Sequence, residues 1–290
     1  MNFTTGKELL NICNTDGIKI SEAMLLRETE ISGLSRKEIL NGLSVSWEIM
    51  KSSAKKAVKH AVPSMGGLIG GEASKFYKRF VDKKNISGNL LGKAIIYSMG
   101  VMEVNASMGL IVAAPTAGSS GVIPGLFTAM YEEYNLSDEL MFRALLNAGA
   151  VGYLVMRNAS VAGAEGGCQA EIGTACAMAA SGISELMDGT PEMSLNAAAI
   201  AFANILGLVC DPVGGLVESP CQTRNAMGVS NALVSAELTL AGIKNIIPFD
   251  EMVQVVYSVG KGLPFELRES ALGGIAAAAS ARKYSQNKIY

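Results

Sequence analysis

Three cysteines in this chain could gather as thiolates: Cys168, Cys210 and Cys221. Cys210 and Cys221 bracket one loop with ten residues between them, and Cys168 precedes Cys210 by 42 positions. The spacing lacks the two-residue gap of common zinc and ferredoxin sites, so spacing alone leaves two readings open. Free Cys is a small hydrophobe that is commonly buried. It is also, once deprotonated, a soft metal ligand. The local setting raises the second reading. Cys168 and Cys221 each stand just before a predicted helix, whose N-terminus carries about half a positive charge and stabilises a thiolate. Cys210 is expected to end a helix and open the loop. Three thiolates converging from Gly-rich turns could hold one cluster and leave one iron without a protein ligand. Cys13 and Cys176 read as core residues, Cys176 on an apolar helix face with Ile172 and Ala179.

A second constellation is the turn at 115–121. Thr116, Ser119 and Ser120 offer hydroxyls there, and Gly118 and Gly121 free the backbone to present N–H groups. That is the form of a carboxylate or phosphate cradle at a helix start. No Lys follows the glycines, so it is not a P-loop. An ordinary Ser/Gly turn is the alternative. A third constellation is Arg224 and Asn225, with Asn231, on the helix after Cys221. An Arg near a helix start opposes the dipole unless it is paired. A substrate carboxylate or Glu218 would serve, and a structural salt bridge is the alternative. Acid–base chemistry is sparsely marked. The single His, His60, closes a lysine-rich helix and reads as a surface residue. Glu165, near Cys168, is the candidate base, although it could equally bond to its own Gly-rich turn.

The elements that must position these residues are helices. Ser35 with Glu38 has the pattern of a capping box, and Ile39, Leu43, Trp47 and Met50 follow at helical spacing over 35–60. Shorter helices are expected at 21–30 and 73–81. Long apolar ones are expected at 90–112, 122–134, 137–157, 169–188, 191–209, 222–242 and 249–262. Asp138, Pro191 and Asp250 fit helix starts, and Gly189 and Gly242 fit helix ends. No period-two alternation is long enough for a sheet. Four Gly-rich connections, at 63–71, 115–125, 163–167 and 210–221, join the helices. The expectation is an all-α fold: a single helical domain over 1–290, with a buried central layer of Gly/Ala-rich helices. It has a basic helical part at 1–87, a cluster-binding body at 88–275 and a tail at 276–290.

Bulk properties bound the function. Hydrophobic residues are 49% of the 290 and charged residues 17%, enough for a large core. The net charge of −2 argues against nucleic acid as a main partner. Residues 1–93 hold 15 Lys/Arg against 9 Asp/Glu, a basicity that solvated helix faces explain. The mean hydropathy of +0.30 raises the question of a membrane span. The best stretches, 94–114 and 195–209, are interrupted by Glu103, Asn105, Ser107, Asn196 and Asn204, so both read as buried helices of a soluble protein. The polar N-terminus is unlike a signal peptide. A cytoplasmic location is therefore expected, where thiols stay reduced.

Several strings then become familiar. APTAGSSGVIPG (114–125), GAEGGCQAEIG (163–173), LGLVCDPVGGLVESPC (206–221) and RNAMGVSNA (224–232) resemble the alpha subunit of the bacterial iron–sulfur-dependent L-serine dehydratases. EVNASMG (103–109) and LRESALGG (267–274) add to the likeness, which runs in order to about residue 275. The resemblance implies a [4Fe–4S] cluster on Cys168, Cys210 and Cys221, acting as a Lewis acid on the serine hydroxyl. Loss of the α-proton and the hydroxyl would give aminoacrylate, and then pyruvate and ammonia. With L-serine as the substrate, the candidates to bind it are the residues of the cradle and of the following helix start, Thr116, Gly118, Ser119, Ser120, Arg224 and Asn225. Single-chain relatives carry a further regulatory domain that has no counterpart here, which implies a separate beta subunit and a hetero-oligomer. The tail reads AAAASARKYS (276–285), unlike that of relatives, and contains no Cys.

Two rival functions remain. A pyridoxal-phosphate lyase would need a lysine beside the cradle, yet only Lys244, Lys261, Lys283 and Lys288 follow residue 93, none in a Gly/Ser loop. A non-enzymatic helical partner subunit with incidental cysteines is the stronger rival.

Overall fold

In a computed structural model that describes residues 2–285, the chain is built almost wholly of helices. They are α1 (Gly6–Asp16), α2 (Ile20–Ser32), α3 (Arg36–Lys56), α4 (Glu72–Val81), α5 (Gly88–Ala106), α6 (Val122–Glu133) and α7 (Asp138–Asn158). There follow α8 (Gly163–Gly166), α9 (Cys168–Leu186), α10 (Pro191–Ile205), α11 (Cys221–Leu240), α12 (Phe249–Gly262) and α13 (Ala279–Ser285). Among the described residues there is no β-strand, which agrees with the all-α expectation; one isolated bridge joins Cys210 to Arg268. Residues 286–290 of the expected tail lie outside the described residues.

Local chemistry sets the helix starts. Ser35 accepts from the Glu38 N–H while Glu38 accepts from the Ser35 N–H, the reciprocal cap expected for α3. Ser137 caps α7, and Thr190 caps α10 with Pro191 in the first position. Thr5 caps α1 in the same way through the Glu8 N–H, a start signal that the periodicity reading passed over. Two helices end earlier than expected. α5 stops at Ala106, not near 112, because Met108 turns left-handed (φ 60°) and the Gly109 N–H folds back on the Val104 carbonyl. α10 stops at Ile205, not near 209. Gln169 of α9 takes over the following backbone, accepting from the Gly207 N–H and donating its own N–H to the Leu208 carbonyl.

α9 is the central element. Every residue from Cys168 to Glu185 is buried except Glu171, and α6, α7, α10 and α11 pack around it. A helix buried on all sides has no need of a polar face. Small side chains let its neighbours approach closely. At Gly182 a Cβ would lie 2.9 Å from the Ala144 carbonyl oxygen and 2.7 Å from the Phe127 ring. α7 is, among the described residues, the one helix long and apolar enough to cross a membrane. Half of its most apolar stretch is buried, against α2 and α9, as in a core helix.

These contacts give opposite signs to two like substitutions. Gly149 in α7 has nothing within 4 Å of a built Cβ, so Gly149→Ala is expected to stabilise by about 0.5–1 kcal/mol through helix propensity. Gly182→Ala gains the same propensity but meets backbone, and is expected to destabilise by about 1–3 kcal/mol. Urea midpoints at unchanged slope measure both.

Candidate metal centre

Two helix N-termini and one extended segment bring the thiols together. Gly167 holds a left-handed backbone (φ 74°) that ends α8, and Cys168 is the first residue of α9. Cys221 is likewise the first residue of α11. Cys210 does not end a helix as expected. It lies beyond α10 in an extended segment, donating its N–H to the Leu267 carbonyl (2.9 Å) and accepting from the Glu269 N–H (2.6 Å). All three cysteines are buried and none is in a disulfide.

The sulfurs of Cys168 and Cys210 and a carboxylate oxygen of Glu171 lie within 4.8 Å of one another, a group able to hold a metal ion. Cys221 stands outside this tight group but close enough for its thiol to feel the charges at Cys168, Glu171, Glu269 and Arg224. Cys168 is the thiol of the set most biased toward thiolate. A hydrogen bond from the Cys210 thiol and the nearby Arg224 guanidinium hold its pKa below the ordinary value, against the effect of burial. Cys210 is raised as the partner that keeps its proton toward Cys168, and by burial. Burial, then the charge at Cys168, pushes Cys221 up to about 12.

Arg224 is the cation of the site. Its Nη1 donates to the Val209 carbonyl (2.8 Å) and to Cys168 Sγ (3.4 Å), and its Nη2 lies 2.7 Å from Asp211 Oδ1. The partner considered from sequence, Glu218, is engaged elsewhere. It accepts from Ser64 Oγ (2.6 Å) and from the N–H groups of Gly66 and Leu68 (2.7 and 2.9 Å), and so binds the 63–71 loop to the Cys221 loop. Glu103, fully buried, holds the far end of the same loop through the N–H groups of Gly71 and Ala73, both at 2.9 Å.

The 115–121 turn reaches the centre through Thr116, whose hydroxyl donates to Glu171. Ser119 supports Thr116 from behind, Oγ to Oγ 3.0 Å. Gly118 lies against Glu171, where a Cβ would come within 2.6 Å of Oε1. Ser120 faces its own turn, donating to the Ala117 carbonyl (2.7 Å). Asn225 bolts the turn to α11: Nδ2 donates to the Gly118 carbonyl (2.7 Å) and Oδ1 accepts from the Gly121 N–H (2.9 Å). Asn231 lies further along α11 and bonds to α10 through the Ala201 carbonyl (2.9 Å).

Glu165, the candidate base, does not join this group. It is exposed on α8 and lines a shallow depression with Tyr257 and Lys261. Glu171 stands at the sulfurs in its stead, its pKa raised by burial and by the Glu269 charge against the Thr116 hydrogen bond. Three residues after Cys168 on one helix, it shares that face, a signal present in the sequence. Glu269 arrives only through the pairing of its segment with Cys210. His60 is exposed, and Cys13 and Cys176 are buried in the core away from the centre. A separate groove of about 640 Å³, lined by Leu10, Met193, Ile243 and Phe249, contains no thiol.

With this geometry in view, likeness to known proteins is informative. The family model for the serine dehydratase alpha chain matches residues 15–276. The probable L-serine dehydratase alpha chain of Bacillus subtilis is 44% identical over 288 residues, covering 99% of this chain and 95% of that one. The L-serine dehydratase alpha chain of Peptoniphilus asaccharolyticus is 43% identical over 281 residues, covering 97% and 96%. The L-serine dehydratase of Streptomyces coelicolor is 35% identical over 277 residues, which are 94% of this chain and only 60% of that longer protein. The matched stretch contains every thiol and carboxylate of the centre, and the chain belongs to the serine dehydratase alpha chain family.

Proposed function

We propose that this chain is the cluster-bearing subunit of an L-serine dehydratase, converting L-serine to pyruvate and ammonia in the reducing cytoplasm. One observation carries the reading. Two buried thiols and a carboxylate converge in a chain whose full-length relatives are named L-serine dehydratase alpha chains.

The donor set fits an iron–sulfur group. It is rich in soft thiolate sulfur, which suits iron–sulfur groups and disfavours magnesium and calcium. Cys168 is already biased to thiolate, and Cys210 and Cys221 are buried beside it. A [4Fe–4S] cluster held by these three cysteines would supply Lewis acidity at an iron with no protein ligand, the charge stabilisation that a departing hydroxide needs.

The chain's own residues prepare the site. Arg224 holds the Cys168 sulfur and the Val209 backbone in one orientation through a planar fork. Thr116 fixes the rotamer of Glu171. Asn225 keeps the 115–121 turn against the thiols, and burial of the cysteines excludes water. Removal of the α-proton requires a base. The longer Streptomyces coelicolor relative extends well beyond the match, which supports a separate beta subunit that joins this chain in a hetero-oligomer and supplies further site residues.

Two outcomes test the reading. Anaerobically prepared chain, co-expressed with its beta subunit, is expected to form pyruvate from L-serine, and Cys210→Ser to abolish both that activity and the absorbance near 400 nm. A Ser variant with unchanged colour and turnover would favour a partner subunit with incidental cysteines. Arg224→Lys cannot reach Asp211, Val209 and Cys168 together, and is expected to lower iron retention under chelator challenge by about 10–100-fold.

A further inference from the structure

Two carboxylates of the centre, Glu171 and Glu269, form no ion pair among the described residues. Glu171 accepts from Thr116. The guanidinium at the thiols, Arg224, is engaged by Asp211, Val209 and Cys168. The two carboxylates also share one point of approach. At Gly163 a Cβ would lie 3.0 Å from Cys210 Sγ, 3.2 Å from Glu269 Oε2 and 3.3 Å from Glu171 Oε2. Two acceptor groups and a ligand sulfur thus face the same bare stretch of backbone.

Glu269 is held there by main chain alone. Its N–H donates to the Cys210 carbonyl (2.6 Å), and its backbone is left-handed at φ 61°, a conformation that a Glu adopts only when its surroundings impose it. Its side chain is exposed at the mouth of the centre, whereas Glu171 lies further in. An anionic pair in a partly enclosed site attracts a cation that can donate several hydrogen bonds.

We propose that Glu269, backed by Glu171, recognises the α-ammonium group of the substrate and makes the site select an α-amino acid over the matching hydroxy acid. The inference rests on the L-serine reading. An ammonium offers three donors to two carboxylates, and a ligand that lacks it leaves both acceptors facing each other without a bridging charge. Glu269 is a binding residue in this account, and the three cysteines hold the metal without it.

The test uses the anaerobic enzyme with its beta subunit. Glu269→Gln keeps the shape and removes the charge, and Glu269→Asn removes the charge with a shorter residue suited to left-handed backbone. Both variants are expected to retain wild-type iron and sulfide. KM for L-serine should rise about 10–100-fold, as loss of a charge-assisted hydrogen bond implies, with a smaller change in kcat. The L-serine concentration needed to perturb the 400 nm absorbance should rise in step. Inhibition by 3-hydroxypropionate, which is serine without its amino group, should stay within about twofold of wild type. Equal weakening of both ligands, no change in either, or loss of iron would overturn the inference; the last would make Glu269 a metal ligand. Wild-type enzyme that forms no pyruvate would sink the serine reading and this inference together. Active wild type with unaltered variants would sink this inference alone.

Discussion

A helix buried on every side cannot rotate or slide without moving all of its neighbours, and α9 is such a helix. Its first residue is Cys168, so the packing of Ala, Gly and Ser along 170–185 positions a thiol at its N-terminus. The other parts of the centre are referred to that point. α11 packs along α9 and delivers Cys221 and Arg224 from its own first turn. Gln169 draws the chain after α10 across the start of α9, which leaves Cys210 beside Cys168. The small residues that make α9 a close-packed core element thus also set the distance between the sulfurs.

Charge then organises what packing has gathered. Arg224 stabilises the Cys168 thiolate and is itself held by buried Asp211. Asp211 in turn accepts from the Ile275 N–H (2.6 Å), which fastens the end of the LRESALGG segment to the Cys210 loop. Glu218 and Glu103 do the same for the 63–71 loop, each satisfying backbone donors that would otherwise be buried unpaired. The carboxylates near the centre thus divide by task. Asp211, Glu103 and Glu218 bind loops to the body, while Glu171 and Glu269 remain directed at the space beside the thiols.

Much of this was legible in the sequence. The helix starts read at Ser35, Asp138 and Pro191 follow from local chemistry, and the structure sets the last two with side-chain caps from Ser137 and Thr190. The three cysteines stand out by their place at Gly-rich turns. Three features were harder to read. The ends of α5 and α10 are hidden because the apolar residues after Ala106 and Ile205 continue the composition of a helix while their backbone bonds go elsewhere. Glu165 looked apt because it is close to Cys168 in sequence, but the left-handed turn at Gly167 separates the two. Glu269 could not be found by local pattern, since its place beside Cys210 depends on a pairing across some 60 residues of chain.

The central claim is that Cys168, Cys210 and Cys221 together hold an iron–sulfur cluster, although only the first two sulfurs lie in the tight group with Glu171. Iron and acid-labile sulfide per chain, measured on anaerobically purified protein and on its Cys221→Ser variant, test it most directly. The account predicts about four of each in the wild type, as a [4Fe–4S] centre requires, and near-complete loss in the variant. Wild-type protein without iron, or a variant that keeps its full complement, would contradict it.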